Sequence, residues 1–295
     1  MTLLKTTLTA VAAGLAVAAG GAAQAEDHLL DSGKLLLTGG VTNIEGAGGG
    51  GIATWATITG YETRDGVAPN AHFTYVRTGE YDLRDYGAAI GLFNRVELSY
   101  TRQEFDTRDA GARLGLGRDF TFHQDVVGAK VRVLGDLVYD QDSVLPQVAV
   151  GLQYKHNDRG AIIHAIGGKH DSGVDYYVSA TKLLLNQNLV LDATVRFTKG
   201  NQTGILGFGG DRSDRYSAQF EGSAGYLVSK RLLVGAEYRT KPNNLGFAKE
   251  DDWFDVFAAY AINKHVSVTA AYADLGDIAT QRKQRGAYVS LQVGF

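Results

Sequence analysis

A chain of 295 residues with 29 Lys and Arg against 32 Asp and Glu has no basic excess, and nothing in that balance suggests a nucleic-acid partner. It contains no Cys, which excludes a disulfide framework and a thiolate metal site. Gly is high at 38 and Pro low at 3, with 15 Tyr and 12 Phe, and beyond residue 25 no stretch approaches the ~18–20 apolar residues of a membrane-crossing helix.

The first element is one to be removed. Lys5 supplies a basic start, Leu8 to Ala19 a short apolar run, and Ala23-Gln24-Ala25 small residues at the two positions a signal peptidase reads. Residues 1–25 are therefore expected to be a secretory signal peptide cut before Glu26-Asp27. The run is too short and too rich in Ala and Gly to favour a membrane anchor. An exported chain of this size is either a soluble protein or a barrel. Mean hydropathy does not separate the two, because barrel strands alternate and average out as mildly polar.

Periodicity separates them. Lys34–Asn43 alternates weakly and Trp55–Thr63 more clearly, joined by the glycine run 46–51. No Lys-Ser/Thr follows that run, so it is not a phosphate-binding loop. Twelve stronger segments follow, near 70–79, 84–93, 96–106, 126–137, 145–156, 174–185, 189–198, 215–228, 231–240, 253–262, 265–274 and 285–295. In the last, Ala287, Val289, Leu291, Val293 and Phe295 face away from Gly286, Tyr288, Ser290, Gln292 and Gly294. Period two with one apolar face is a strand against an apolar medium. Lengths above nine residues suit a tilted membrane-crossing strand, whereas sandwich strands run to ~5–6.

The connections alternate in length. Asn94-Arg95, Asn186-Gln187-Asn188, Ser229-Lys230 and Asn263-Lys264 are short, with a longer Asp140-Gln141-Asp142-Ser143 turn between; 107–125, 157–173, 199–214, 241–252 and 275–284 are long. Short periplasmic turns and long external loops are the pattern of outer-membrane barrels. With the last strand ending at the periplasmic side, Tyr86, Tyr154, Tyr176, Tyr216, Tyr238, Phe254 and Tyr272 fall near the external end. Tyr226, Tyr260 and Phe295 fall near the periplasmic end, completing two aromatic girdles. The fold expected is all-β, a transmembrane antiparallel up-and-down barrel formed as one domain by residues 26–295. Even strand number leaves fourteen strands, the favoured count, or twelve if residues 29–63 fold inward. The Gly-rich segment 29–52 is correspondingly a first hairpin or a plug.

The search for chemistry finds little. His265-Val266-Ser267 has the spacing of a barrel lipase pair, but it lies at a short turn, is followed by Val268 rather than Asn, and carries Ser267 inward. No Gly-x-Ser-x-Gly occurs, and the seven His show no paired ligand spacing. The expectation is no enzyme, no metal and no cofactor. The inward register is more informative: Glu97, Lys130, Arg132, Lys155, Asp192, Arg196, Glu221, Glu237, Arg239 and Asp255 point into the lumen. Such charges need water, partners or a plug. They would line a porin-like, water-filled pore, with Lys130, Arg132 and Lys155 on one wall facing Asp192, Glu221, Glu237 and Asp255, or they would form a closed salt-bridge network. The function expected is a channel for passive diffusion of small hydrophilic solutes. The alternatives are a lateral transporter of hydrophobic compounds with residues 29–52 as plug, and a closed structural barrel.

Several stretches, Gly33-Lys34-Leu35-Leu36-Leu37-Thr38-Gly39-Gly40-Val41, Ile44–Gly50, Gly115–Asp142 and Leu206-Gly207-Phe208-Gly209-Gly210-Asp211, resemble a family of Gram-negative outer-membrane proteins catalogued only as a domain of unknown function, DUF3034. The resemblance covers nearly the whole mature chain and implies a barrel in the outer membrane, with lipids as neighbours, and no mechanism. Val289, Leu291, Val293 and Phe295 also resemble the carboxyl-terminal signal through which barrels engage their assembly machinery. The expected outcome is a protein that fractionates with outer membranes and migrates heat-modifiably on gels. Deletion of Phe295 should lower the heat-modifiable fraction in those membranes, and an undiminished fraction would reject the terminal-signal reading.

Overall fold

The computed structural model describes residues 33–295, so residues 1–25, expected to be a signal peptide, and residues 29–32 of the Gly-rich segment lie outside the described residues. Two short inner strands, β1 (Val41–Thr42) and β2 (Gly48–Gly49), pair with each other. Twelve longer strands follow. They are β3 (Val67–Arg77), β4 (Asp82–Leu92), β5 (Val96–Asp106), β6 (Thr121–Leu134), β7 (Gln147–Asn157) and β8 (Ser172–Leu184). After these come β9 (Leu189–Thr198), β10 (Ser217–Ser229), β11 (Leu232–Arg239), β12 (Trp253–Ala261), β13 (Val266–Asp274) and β14 (Arg285–Gly294). Each pairs antiparallel with its sequence neighbours, and β14 pairs β3 to close the barrel.

The wall follows from the alternation. On β12 the outward residues Phe254, Val256 and Tyr260 are exposed while Asp255, Phe257 and Ala259 are buried, and β9 and β14 repeat the pattern. Large apolar side chains on the outer surface of a closed sheet need an apolar solvent, which for a barrel is lipid. All the residues assigned to the two girdles are exposed on that outer face.

The wall holds twelve strands rather than fourteen, because described residues 33–62 fold inward. Neither register of Trp55–Thr63 offers lipid an apolar face: one carries Thr57, Thr59 and Thr63, the other Gly60 and Glu62. From Leu37 to Gly60 every residue is buried. The segment ends at the short-turn side, where Tyr61 N–H donates to the carbonyl of Phe295 at 3.2 Å and Gly33 N–H donates to Tyr61 at 3.0 Å.

At that side lie the short turns 93–95, 185–188, 230–231 and 262–265, with a longer one over 135–146. Asn188 takes the left-handed conformation (φ 55°) that closes its turn after a single 3₁₀ stretch. At the other side the long loops carry two short helices, Arg108–Arg113 and Gly160–Ala165, and fold over the mouth. Only 78–81 is short there.

The two faces of the wall should answer differently to charge. Val256, 53 % exposed between Phe254 and Tyr260, faces the lipid midplane, whereas Val144, 94 % exposed, sits in the turn 135–146. Val256→Arg should destabilise the barrel by ~2–4 kcal/mol in denaturant unfolding from lipid vesicles. Val144→Arg should stay within about 0.5 kcal/mol. Equal costs would refute the assignment of the outer face.

Candidate functional site: the plugged lumen

All ten residues expected to line the lumen do point inward, and all are buried. What buries them is the amino-terminal segment. Its glycines matter here for what they lack: a Cβ on Gly50 would overlap the Glu237 carboxylate, and one on Gly46, whose φ is +84°, would overlap Thr101. Bare backbone therefore lies directly against the wall, and its amides reach wall carboxylates.

Three acids grip it that way. Glu97 accepts from Gly48 N–H at 3.0 Å and Thr59 N–H at 2.8 Å; Glu221 accepts from Thr54 N–H at 2.8 Å; Glu237 accepts from Ile52 N–H at 2.8 Å. The carbonyls are taken by cations. Lys130 Nζ donates to Gly48 at 2.9 Å and Thr57 at 2.7 Å, and Arg239 donates to Ile52 at 3.1 Å. Neutral wall groups complete the grip, among them Thr181 to Ala56 N–H at 2.7 Å and Gln147 to the Ala56 carbonyl at 2.6 Å. Trp55 Nε1 donates to Ser223 Oγ at 2.8 Å. Hydrogen bonds to charged partners contribute ≈ 1.5–3 kcal/mol each when both sides are satisfied.

One plug carboxylate reverses the roles. Glu45, fully buried, is paired with Lys155, lies 2.8 Å from Arg239 Nη1 and 3.4 Å from Arg196 Nη2. Around it Arg196 Nε donates to Glu221 at 2.5 Å, Lys155 Nζ to Asp175 at 2.6 Å, and Lys130 pairs with Glu97 at 3.1 Å. Two opposed walls of single charge, expected from the strand order, are thus not what forms: Arg196 and Arg239 interleave with the acids, and Glu45 neutralises the basic side from the axis. Arg132 lies apart, pairing with Asp136 at 2.5 Å near the short turns. Asp192 accepts from Thr181 at 2.6 Å, and Asp255 faces Glu237 around Gly51.

Glu45, Asp175 and Asp136 are missing from the sequence-derived set. Asp175 was legible from the inward register of β8. Glu45 stands in an aperiodic glycine run, where its only signal is that a lone carboxylate there has no local cation.

The mouth is latched as well. Glu250 accepts from the Gln202 N–H at 2.8 and 3.0 Å and lies 3.5 Å from Lys241, which donates to Gln202 Oε1 at 2.9 Å. Loops 199–216 and 240–252 are so joined. Burial, partly offset by Glu250, pushes the Lys241 ammonium down to about 8.

A closed antiparallel wall with a lipid-facing exterior and a filled lumen defines an outer-membrane-type β-barrel with an internal plug. The chain belongs to the family described as "Protein of unknown function (DUF3034)", which it matches over residues 38–292. No curated protein matches it in sequence. Among solved structures it is similar to the KdgM porin (TM-score 0.50, 10 % identity, 77 % of this chain and 99 % of that one). It is also similar to the NanC porin (0.47, 11 %, 77 % and 97 %) and to outer membrane phospholipase A from Escherichia coli (0.42, 13 %, 80 % and 91 %). At 10 % identity the likeness to the KdgM porin is one of fold.

Glu45 should be the linchpin of the plug. Since the chain has no Cys, Ala53→Cys, at a fully buried plug position, reports plug release through labelling by a water-soluble maleimide. Removing one partner of a buried charge cluster costs about 3–5 kcal/mol. Glu45→Gln in that background should accelerate labelling by at least ~100-fold, at 1.4 kcal/mol per tenfold. An unchanged rate would show the cluster does not hold the plug.

Proposed function

We propose that this protein is an outer-membrane conduit for small solutes, shut at rest by its own amino-terminal segment. The observation that carries the reading is that Val41 to Gly60, a buried segment that forms no part of the wall, runs through the lumen and gives its backbone amides to the wall acids Glu97, Glu221 and Glu237. A strut could close its lumen with apolar packing. Here the wall keeps charges that match a separable segment, and with that segment displaced they would line a wet passage. Glu97, Lys130, Lys155, Arg196, Glu221 and Glu237 would then carry small hydrophilic solutes by passive diffusion, in the manner of charged rings in other pores.

A lateral route into the membrane has less support. The ladders on both sides of the β14–β3 seam run without interruption, and no register gap opens between neighbouring wall strands beyond the bulges at Arg132/Leu134 and Leu227/Ser229. The proposal is of a non-enzymatic protein: His265 Nδ1 is 3.0 Å from the Gly294 carbonyl and its ring 5.0 Å from Phe295, a turn contact rather than a pairing with Ser267. It includes export on a cleaved signal and insertion through the barrel-assembly machinery, supported by the place of Phe295 at the seam, where its N–H donates to Pro69 at 3.1 Å.

Planar-bilayer recording tests the reading. The parent protein should be closed for most of the record, and a variant lacking residues 41–60 should conduct steadily. In that variant Glu221→Lys with Glu237→Lys should move the reversal potential towards anion selectivity, by less as salt shortens the ~8–10 Å Debye length. A truncated barrel that is heat-modifiable yet silent would remove the conduit reading.

A further inference from the structure

Two small cavities lie between the plug and the external loops, and their lining is not what a water-filled barrel needs. The lower one, about 30 Å³, has Ile44 and Ile52 of the plug as its floor and Val76, Leu83 and Ala273 among its walls. The upper one, about 80 Å³, is lined from the loops by Leu114, Leu116, Ile162, Leu206 and Phe247. Tyr81 and Phe105 border both, their rings 4.9 Å apart at 32°, so this pair is the partition between them. An apolar path thus runs from the partly exposed Phe247 at the loop layer to the outer surface of the plug.

Inward positions on β3, β4, β5 and β13 are polar at mid-barrel (Thr74, Asp85, Thr101, Thr269) and become Val76, Leu83, Phe105 and Ala273 here; elsewhere on these strands the apolar inward residues are alanines, Ala68, Ala89 and Ala271. Loop residues extend the same apolar surface, which loops over an aqueous mouth have no need to do. Polar groups break it: Thr78 and Gln202 are hydrogen-bonded elsewhere and Asp82 lies 3.9 Å from Arg108, while the Tyr288 hydroxyl and the Trp253 indole have no hydrogen-bonding partner among the described residues. Trp253 is 4 % exposed, so its indole N–H is a buried donor. A buried donor left unpaired is costly, and an oxygen acceptor on a ligand would satisfy it.

We infer that this region is a binding site for a small, largely apolar, uncharged molecule of about one ring carrying a single acceptor oxygen. The ligand passes the loop layer, displaces the Tyr81–Phe105 partition and merges the two cavities, approaching the ~150 Å³ that accommodates benzene in a protein interior. Its oxygen accepts from Trp253 Nε1 and its apolar body rests on Ile44 and Ile52. The site is complete with the plug seated and needs no movement of it, so it stands independently of the conduit.

The test uses protein with 5-fluorotryptophan in lipid nanodiscs, where Trp55 and Trp253 give two ¹⁹F resonances assigned by single Trp→Phe variants. Benzyl alcohol should shift the Trp253 resonance saturably and leave Trp55 in place. Toluene, which lacks the oxygen, should need about tenfold more for the same shift, and benzoate should give none. Ala273→Leu, filling the lower cavity from the wall, should abolish the Trp253 shift while the barrel stays heat-modifiable. Ile205→Phe fills it from a loop and replaces that variant if it fails to assemble. The inference is overturned if no saturable shift occurs, if both resonances move together as bulk membrane partitioning would cause, if benzoate binds as well as benzyl alcohol, or if the filled variants respond like the parent.

Discussion

The Glu45 cluster is the constraint on which the interior depends. A carboxylate at the barrel axis stands within reach of Lys155, Arg196 and Arg239, cations from three separate strands, β7, β9 and β11. Three like charges converging in a dry lumen would repel; one anion among them turns the repulsion into a fastening. The remaining acids are placed accordingly. Glu221 and Asp175 take the second donors of the same cations, and Glu237 and Glu97 are left to hold backbone amides.

This arrangement divides the lumen into layers. A charged belt sits at mid-barrel with the plug through it. Towards the short turns Leu37, Val41 and Trp55 of the plug pack with Leu183, Val190, Leu233 and Phe257 of the wall, an apolar collar beneath the belt. Above the belt lies the second apolar layer, bounded by the latched loops. Low dielectric on both sides strengthens the ion pairs between them and makes each unpaired state more costly. The glycine run is what lets one segment cross all three layers, since side chains at Gly46 or Gly50 would collide with the wall.

Most of the wall was legible from alternation alone. The twelve strong segments coincide with β3–β14 to within a few residues, the largest departure being β6, which begins at Thr121 rather than 126 because Phe122 and Gln124 continue its inward face into what reads as loop. The inward set was legible for the same reason. What alternation cannot show is what lies across the lumen, because it reports a side chain's face and not its partner. Hence the charges on β6, β7, β9, β10, β11 and β12 were placed correctly while their arrangement into opposed walls was not, for Glu45 belongs to no periodic pattern. The upstream segments misled towards fourteen strands because Trp55–Thr63 alternates in polarity pattern but not in a way lipid can use. Helices of six residues, Arg108–Arg113 and Gly160–Ala165, are too short to show a period at all.

The double engagement of the wall bears on how freely such a sequence can drift. In an open barrel half of each strand meets water, and polar exchanges there cost little. Here a residue such as Thr194 has lipid-facing neighbours on either side in the chain, Ala193 and Val195, while its own hydroxyl donates to the Thr54 carbonyl at 2.6 Å. Ser179 donates to the same carbonyl at 3.3 Å, so two strands are tuned to one plug atom. Neither face of the wall is then neutral ground: one is bound by the solvent properties of the bilayer, the other by the shape of a particular glycine-rich segment. Wall and plug must change together, and variation without compensation is confined to the turns and the outermost loop tips.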